Sequence, residues 1–492
     1  MQSNSLPPKK TAGPFPDLPE NLEQKSHVVV IGAGISGLAS AWFLKQKGFS
    51  VTVLEAGNQV GGNLQTVQQN GCLWERGPNS FINNRQAMAQ LIAQLDLGSS
   101  IVLANQSAHK RFIGKKGKVI ALPGSLKEAL TTPVISVFAK LRLLIEPLIR
   151  RVSKEESIAD YVTRRLGQEV MDWMIDPFIS GVFAGDPKRL SADAAVPKIK
   201  ALETEHGSMI LGGIAKMKAK AAEKNLETKP SAIKLDGAMM SFDQGIHALP
   251  NAIAQKLGDS IILNTQVDGL TFSPEFGYQV RSGDQIWQAQ EVILAVPSAQ
   301  VARIIDDLAW PNDDLMDKAV KALRDIEYPA VASITMAFYK DQIQHPLDGF
   351  GCLLPSKERQ KTLGVLFPSS IFANRCPNDQ HLMTVFIGGA RGADVMNMTP
   401  EQRVQIILKE LSAYLGIVGE PLWYEESLWP KAIPQYNLGH LARIEQVENA
   451  LSQFPGLHLR SNWRDGVAVG DCVEQAFALA NKLNPADTPS AI

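Results

Sequence analysis

The sequence predicts a chain of mixed class: an α/β region on parallel strands, an α+β region on a mixed sheet, and a helical insertion. Three observations predict it. Residues 27–56 run strand, glycine turn, helix, strand (HVVVIG, ISGLASAWFLKQKG, SVTVLEA), a βαβ unit of about 30 residues. From 125 to 224 the apolar periodicity is mostly helical, in SVFAKLRLLIEPLIRR, SIADYVTRRLG and GSMILGGIAKMKAKAAEK. Beyond it, strand-like runs dominate, and the chain closes on a strand and a helix.

Taken in order, residues 1–25 are Pro-rich and polar. They lack the apolar stretch of a secretory signal and the Arg-rich, acid-poor character of a transit peptide, so a disordered tail is expected. After the βαβ unit, RQAMAQLIAQLDLG is a helix expected to stop at its glycine. Strands are expected at SIILNTQV, EVILAVPS, VASITMAFY, TLGVLF and HLMTVFIGG. The helix EQRVQIILKELSAYLG, the strand LWYEESLW and a last helix from near Gly466 follow. Strands on both sides of a helical segment imply discontinuous domains. Residues 26–100, 238–303 and 446–487 are expected to form one, 101–123 with 304–445 a second, and 124–223 a helical third. No repeat of fixed period is visible.

Composition narrows the function classes. Of 492 residues, 45% are hydrophobic and 20% charged, with net charge −1, a balance that argues against a nucleic-acid binder. Cys72, Cys352, Cys376 and Cys472 are far apart and form no CxxC pair. This argues against structural zinc and a disulfide scaffold, and fits a reducing compartment. No apolar run reaches the ~18 residues of a membrane-spanning helix.

The first chemical motif is VVVIGAGISG. Gly32, Gly34 and Gly37, with Ile35 and Ser36 between them, stand where a buried strand gives way to a helix. A glycine-rich turn alone would satisfy the spacing. The surrounding βαβ pattern instead matches a Rossmann-like dinucleotide site: one glycine for the turn, one for approach of the pyrophosphate, one for helix packing. Glu55 ends the second strand, where a carboxylate can bond ribose hydroxyls. Just beyond it, AGNQVGGN adds Gly61 and Gly62. That second glycine pair resembles flavoproteins of the amine-oxidase type and points to FAD rather than a nicotinamide cofactor. GxSxG, HExxH and P-loop motifs are absent.

Longer stretches are similar to the protoporphyrinogen oxidases, in particular their plastid and bacterial branch. They are GCLWERGPNSF, MIDPFISGVFAGDPKRLS, LETEHGSMILGG, SFDQGIHALPNAI, DGFGCLLP, TLGVLFPSSIFANR, TVFIGG and WPKAIPQYNLGHL, spanning roughly residues 27 to 482. The resemblance implies oxidation of protoporphyrinogen IX to protoporphyrin IX in three two-electron steps, with oxygen reoxidising the flavin. It implies no side-chain acid or base, since the cofactor carries the difficult chemistry.

For the substrate, the resemblance implies that Arg111 pairs with a propionate, Leu353 and Leu366 sandwich a pyrrole, Phe386 stacks on another ring, and the Gly181 carbonyl faces pyrrole N–H groups. Without it, Arg111 is an exposed hairpin cation, the three apolar residues are ordinary strand core, and Gly181 is a helix stop. For the cofactor, it adds Ala56, Asn63, Gly77, Pro78, Asn79, Ser80 and Trp429. Val267 stands where backbone meets adenine, and Val467, Ala468 and Val469 open the last helix beside the flavin.

One departure stands out. The family carries a glycine-rich Gly-Asn-Tyr sequence before that helix, whereas this chain has LRSNWRDG. Arg460 and Ser461 either crowd the flavin phosphate or, through the arginine, add a charge contact to it. The segment SVFAKLRLLIEPLIRRVSK has apolar residues at helical spacing flanked by Lys and Arg, compatible equally with an anionic membrane surface and with packing on the core. The family also implies a chelatase partner and a homodimer. A cytoplasmic protein, or one peripheral on the cytoplasmic face of a bacterial membrane, is expected. Rival readings are oxidation of coproporphyrinogen III, with four carboxylates, and a non-catalytic flavin- or porphyrin-binding scaffold.

Overall fold

The β-branched run Val28–Val30 is fully buried, as a parallel strand covered on both faces must be. It lies in β1 (His27–Ile31). With β2 (Ser50–Leu54), β3 (Ile261–Ile262), β4 (Glu291–Leu294) and β5 (Leu457–Leu459), it forms an all-parallel sheet of order β3-β2-β1-β4-β5. The order reverses at β1, so the carboxyl ends of β1 and its two neighbours define the switch point where open α/β sheets bind ligands. Helix α1 (Ile35–Gln46) joins β1 to β2 and packs on α2 (Val469–Lys482), with Phe43 and Phe477 edge to face at 5.1 Å. This computed structural model describes residues 27–223, 237–306, 308 and 313–485. The expected tail over 1–25 lies outside them.

The described chain falls into two compact units, one within residues 1–62, 250–325 and 442–492, the other within 63–249 and 326–441. The first holds the parallel sheet and a small antiparallel meander, Gly269–Ser273, Gly277–Ser282 and Gln285–Ala289. The Tyr278 hydroxyl donates to the Pro455 carbonyl at 2.8 Å, tying the meander to the turn before β5.

The second unit is built on a seven-stranded mixed sheet. Its order is Trp423–Trp429, Val331–Tyr339, Gln380–Gly388, Thr362–Leu366, Gly351–Leu353, Phe112–Lys115, Lys118–Ala121. All neighbours are antiparallel except Gly351–Leu353 with Phe112–Lys115. Strand alternation divides its residues between two faces. Ile334, Met336, Val365, Val385 and Ile387 join Val404, Ile407 and Leu411 of helix Pro400–Leu415 in one core. That helix starts on a Thr399–Gln402 capping box with Pro400 behind it and stops at Gly416 (φ 65°), the expected start and stop devices.

From Leu126 to Glu223 the chain is largely helical, as expected. The apolar run SVFAKLRLLIEPLIRR is not one helix, however. Val137–Leu144 is followed by a single 3-10 turn, Glu146–Leu148. Pro147 lacks the amide a continuing helix needs and disfavours helical backbone at Glu146. Helix Gln86–Gln94 stops because Asp96, not Gly98, turns left-handed (φ 59°). The strand expected over SIILNTQV is confined to Ile261–Ile262. There Asn264 (φ 53°) gives its N–H to Gly57 and Thr265 to Glu55, folding the segment across the end of β2.

Candidate functional site

In the first unit the three motif glycines have separate jobs. Gly32 turns at φ 104°, and an added Cβ would lie 2.8 Å from the Ala295 carbonyl oxygen. A Cβ on Gly37 would lie 1.9 Å from the Gly32 carbonyl oxygen, so only glycine lets α1 pack on the turn. A Cβ on Gly34 would meet nothing within 4 Å. Gly34 is also the N-cap of α1, with no side chain capping it. The first intrahelical bond runs from Leu38 N–H to the Gly34 carbonyl at 2.9 Å. The amides of Ile35, Ser36 and Gly37 thus precede it, as an anion site at a helix start requires.

Glu55 is fixed at the carboxyl end of β2. Its carboxylate accepts the Ala33 N–H at 2.6 Å and the Gly57 N–H at 2.8 Å, and Ala56 lies between these anchors. The second glycine turn docks directly on the first: Gly61 N–H donates to the Ala33 carbonyl at 2.8 Å, and a Cβ on Gly62 would lie 3.3 Å from the Gly34 Cα. Val267 is buried, and its carbonyl accepts from Arg303 at 2.5 Å. The last helix opens later than expected. Gly466 (φ 115°) and the short turn Asn462–Asp465 precede it, Val467 stays outside, Ala468 is the N-cap and Val469 the first helical residue.

In the second unit two groups of predicted residues assemble. A Cβ on Gly77 would lie 2.1 Å from the Asn63 carbonyl oxygen, and the Trp429 indole N–H donates to the Arg76 carbonyl at 3.0 Å. Asn63, Gly77 and Trp429 therefore gather at one place, with Pro78, Asn79 and Ser80 continuing from Gly77. The Asn79 amide folds back on the Gly77 carbonyl at 3.4 Å.

The other group lies on the sheet face opposite the helix-packed core. Phe386, Gly364 and Leu353 form one transverse row across three strands. Leu366 follows on the same face, opposite Gly351 and Thr384. All three large side chains are half-buried among fully buried neighbours. A Cβ on Gly364 would lie 2.9 Å from Leu353 Cδ2, so the leucine side chain lies over this glycine, a use of strand glycine that marks close approach. Gly181 sits inside helix Asp176–Phe183, and Ala184 (φ 49°) makes the helix stop instead. A Cβ on Gly181 would lie 2.4 Å from Leu353 Cδ2, so the glycine makes room for this leucine. Arg111 is exposed, directly before Phe112, with its guanidinium 5.5 Å from the centre of the Phe350 ring.

A family profile described as "Flavin containing amine oxidoreductase" matches residues 35–484. The chain belongs to this family. Protoporphyrinogen oxidase 2, chloroplastic/mitochondrial, of Arabidopsis thaliana is 32% identical over 474 residues, spanning 92% of this chain and 93% of its own length. Coproporphyrinogen III oxidase of Bacillus subtilis (strain 168) is 27% identical over 474 residues, spanning 92% and 97%. A crystal structure named "Putative protoporphyrinogen oxidase", from Exiguobacterium sp. 255-15, superposes with a TM-score of 0.77 at 24% identity, covering 93% and 98%. That likeness establishes the fold.

As a member of the flavin-containing amine oxidoreductases, the protein is an FAD-dependent oxidoreductase. Its own residues fit the cofactor: an uncapped helix start, open space in front of Gly34, and an acid fixed where β2 ends. Among the described residues, no helix is long and apolar enough to cross a membrane.

Sequence reasoning missed a clamp behind the row of apolar residues. Asp176 accepts from Arg391 at 2.6 Å and from the Ser356 N–H at 2.9 Å, while Arg391 also donates to Ser180. One carboxylate thus ties the helix carrying Gly181 to the loop after Leu353 and the loop after Phe386. The three partners are too far apart in sequence to leave a periodic signal.

It also missed Glu75, one residue before Arg76. Glu75 is buried and accepts from the Thr66 hydroxyl at 2.6 Å and the Ile246 N–H at 2.9 Å. Burial pushes its carboxyl up from the ordinary 4.5 to about 7, outweighing those donors and Arg375. The sign follows from linkage. Below both values the proton is bound in folded and unfolded chains alike. As pH rises toward 7 the unfolded chain ionises first, so stability falls, by on the order of 3 kcal/mol once the pH is above 7. Glu75→Gln is expected to flatten that decline in urea unfolding at a series of pH values. An unchanged decline would place the titration elsewhere.

Proposed function

We propose that the protein oxidises protoporphyrinogen IX to protoporphyrin IX in three two-electron steps, within tetrapyrrole biosynthesis. Bound FAD would accept the electron pair of each step, and molecular oxygen would take it onward. Gly32, Gly34, Gly37, Glu55, Gly61, Gly62 and Val267 would hold the dinucleotide.

The observation that carries the substrate assignment is the half-buried apolar row with a cation near one end. Phe386, Leu353 and Leu366 would give aliphatic and aromatic faces suited to pyrrole rings. Gly181 would present its carbonyl to ring N–H groups, and Arg111 would take a propionate bidentately. The likeness to the Arabidopsis oxidase, over nearly the whole chain, supports the same reading.

A second reading, coproporphyrinogen III, has support in the Bacillus subtilis relative. Three cations of the same unit that are already committed to acids favour the first. Lys357 is paired with Asp172 at 2.6 Å, Lys361 with Asp394, and Arg391 with Asp176. Arg111 is in no ion pair among the described residues, which suits carboxylates gathered at one edge of the substrate.

The exposed apolar face Val137, Phe138, Leu141, Leu144 and Leu148, with Phe138 at 85% and Leu148 at 86% exposure, supports peripheral contact with an anionic membrane. Arg150 and Arg151 follow it in sequence. Contact on the cytoplasmic face of a bacterial membrane, transfer of product to a chelatase and homodimerisation complete the proposal.

Anaerobic mixing with each porphyrinogen, following flavin absorbance and porphyrin fluorescence together, tests it. Flavin bleaching in step with formation of oxidised protoporphyrin, reversed by oxygen, is expected. Faster bleaching by coproporphyrinogen III would select the second reading, and a flavin that stays oxidised with both would overturn each. Arg111→Ala should raise KM about 10- to 100-fold, the worth of a charged hydrogen bond, with flavin content retained. An unchanged KM would remove Arg111 from the propionate.

A further inference from the structure

We infer that Arg460 is an anion ligand for the pyrophosphate of the bound FAD, an inference resting on the flavin assignment above. Arg460 is the first residue after β5, and its N–H extends the ladder to the Leu294 carbonyl at 3.0 Å. It therefore stands at the carboxyl edge of the parallel sheet, where dinucleotide phosphates are received. The glycine turn belongs to the same edge. Gly32 packs on Ala295 and Val296, and the Trp463 indole N–H donates to the Val296 carbonyl at 3.0 Å.

Arg460 is only 8% exposed, a costly place for a cation unless an anion faces it. Its hydrogen bonding inside the protein is incomplete. One terminal nitrogen donates to the Leu459 carbonyl at 2.6 Å, and Nε has no partner. The nearest acid, Asp465, lies 3.7 Å away, beyond hydrogen-bonding distance, with Oδ2 likewise unpartnered. The other oxygen of Asp465 is already taken by Arg464, which also binds Glu448. Asp465 is thus shared, and Arg460 remains a buried donor with charge to spare. A pyrophosphate reaching the start of α1 would supply the missing acceptor, and a guanidinium fork matches phosphate oxygens. Of the two alternatives that LRSNW raised, this geometry favours the added charge contact over crowding.

The test is titration of the apoprotein with FAD at several salt concentrations. In Arg460→Met the dissociation constant should rise about 10- to 100-fold, and its dependence on salt should flatten, because a phosphate–cation contact is lost. Arg460→Lys keeps the charge and should keep the salt dependence with a smaller loss of affinity. A dissociation constant in Arg460→Met within about twofold of the original would overturn the inference. So would weaker binding with unaltered salt dependence, which marks a purely structural role. If Arg460→Met does not fold, the lysine variant decides: an affinity and salt slope as poor as those of a neutral residue would overturn it. Failure of the unaltered protein to bind FAD would instead defeat the flavin assignment itself.

Discussion

Gly34→Ala is expected to give a stably folded protein without stoichiometric flavin, whereas Gly37→Ala should lose the flavin and part of the fold together. The two positions are three residues apart in one motif, and the difference is steric. At Gly37 a methyl group would sit 1.9 Å from the Gly32 carbonyl oxygen and 3.1 Å from Ala295 Cβ. Backbone must move there, and overpacking of this kind costs about 1–3 kcal/mol or more. At Gly34 the backbone is φ −70°, ψ 173°, which alanine adopts freely, and nothing lies within 4 Å. Alanine there costs the apoprotein almost nothing. It would, however, occupy the space through which phosphates approach the amides of Ile35, Ser36 and Gly37. The checks are flavin absorbance per polypeptide and thermal unfolding of each apoprotein. Full flavin occupancy in Gly34→Ala would show that the turn needs glycine for other reasons and would unseat the cradle.

That contrast marks what can be read from sequence. The motif, the βαβ unit and Glu55 were legible because their signals are local: a β-branched run, fixed glycine spacing, an acid at the strand end. Helix Pro400–Leu415 was legible for the same reason, with its cap, its proline and Gly416 all nearby. Errors came where local signals competed. An apolar period crossed Pro147, a glycine at 98 was preceded by a left-handed Asp96, and the β-branched Ile261–Ile262 ran into Asn264. For the site, resemblance supplied residue names and the structure supplied their grouping. Leu353 and Phe386 meet Gly364 through strand register, and Gly181 meets Leu353 through tertiary packing. Neither relation has a sequence period, and the Asp176–Arg391 clamp spans 215 positions.

The largest stability effect is expected in the helical segment, where Arg165→Met should cost about 3–5 kcal/mol, the usual result of stranding one member of a buried ion pair. Arg165 and Glu146 are both fully buried, 2.6 Å apart. Arg165 also donates to the carbonyls of Ile149 and Gly207 at 2.7 Å each. Glu146 in turn accepts from the Ser208 hydroxyl and from the N–H groups of Met209 and Ile210, the first residues of helix Met209–Glu223. One pair therefore holds three things: the chain leaving the Pro147 turn, the end of helix Pro197–His206, and the start of the next helix. A second layer beside it, Arg164 and Lys200 on Glu156 and Glu203, does not replace the lost cation. Those two acids are held below the usual carboxylate range by their cations against the opposing effect of burial. Their contribution is present above the unfolded value and lost as pH falls, so the variant should unfold at a higher pH during acidification. The exposed apolar helix Val137–Leu144 is fastened to the same place through Arg142, which donates to the carbonyls of Arg164 and Arg165. Arg165→Met should accordingly lower the melting temperature and open this segment to limited proteolysis, while flavin stays bound at low temperature. A melting temperature equal to that of the unaltered protein would mean the pair is dispensable and that this face is held by apolar packing alone.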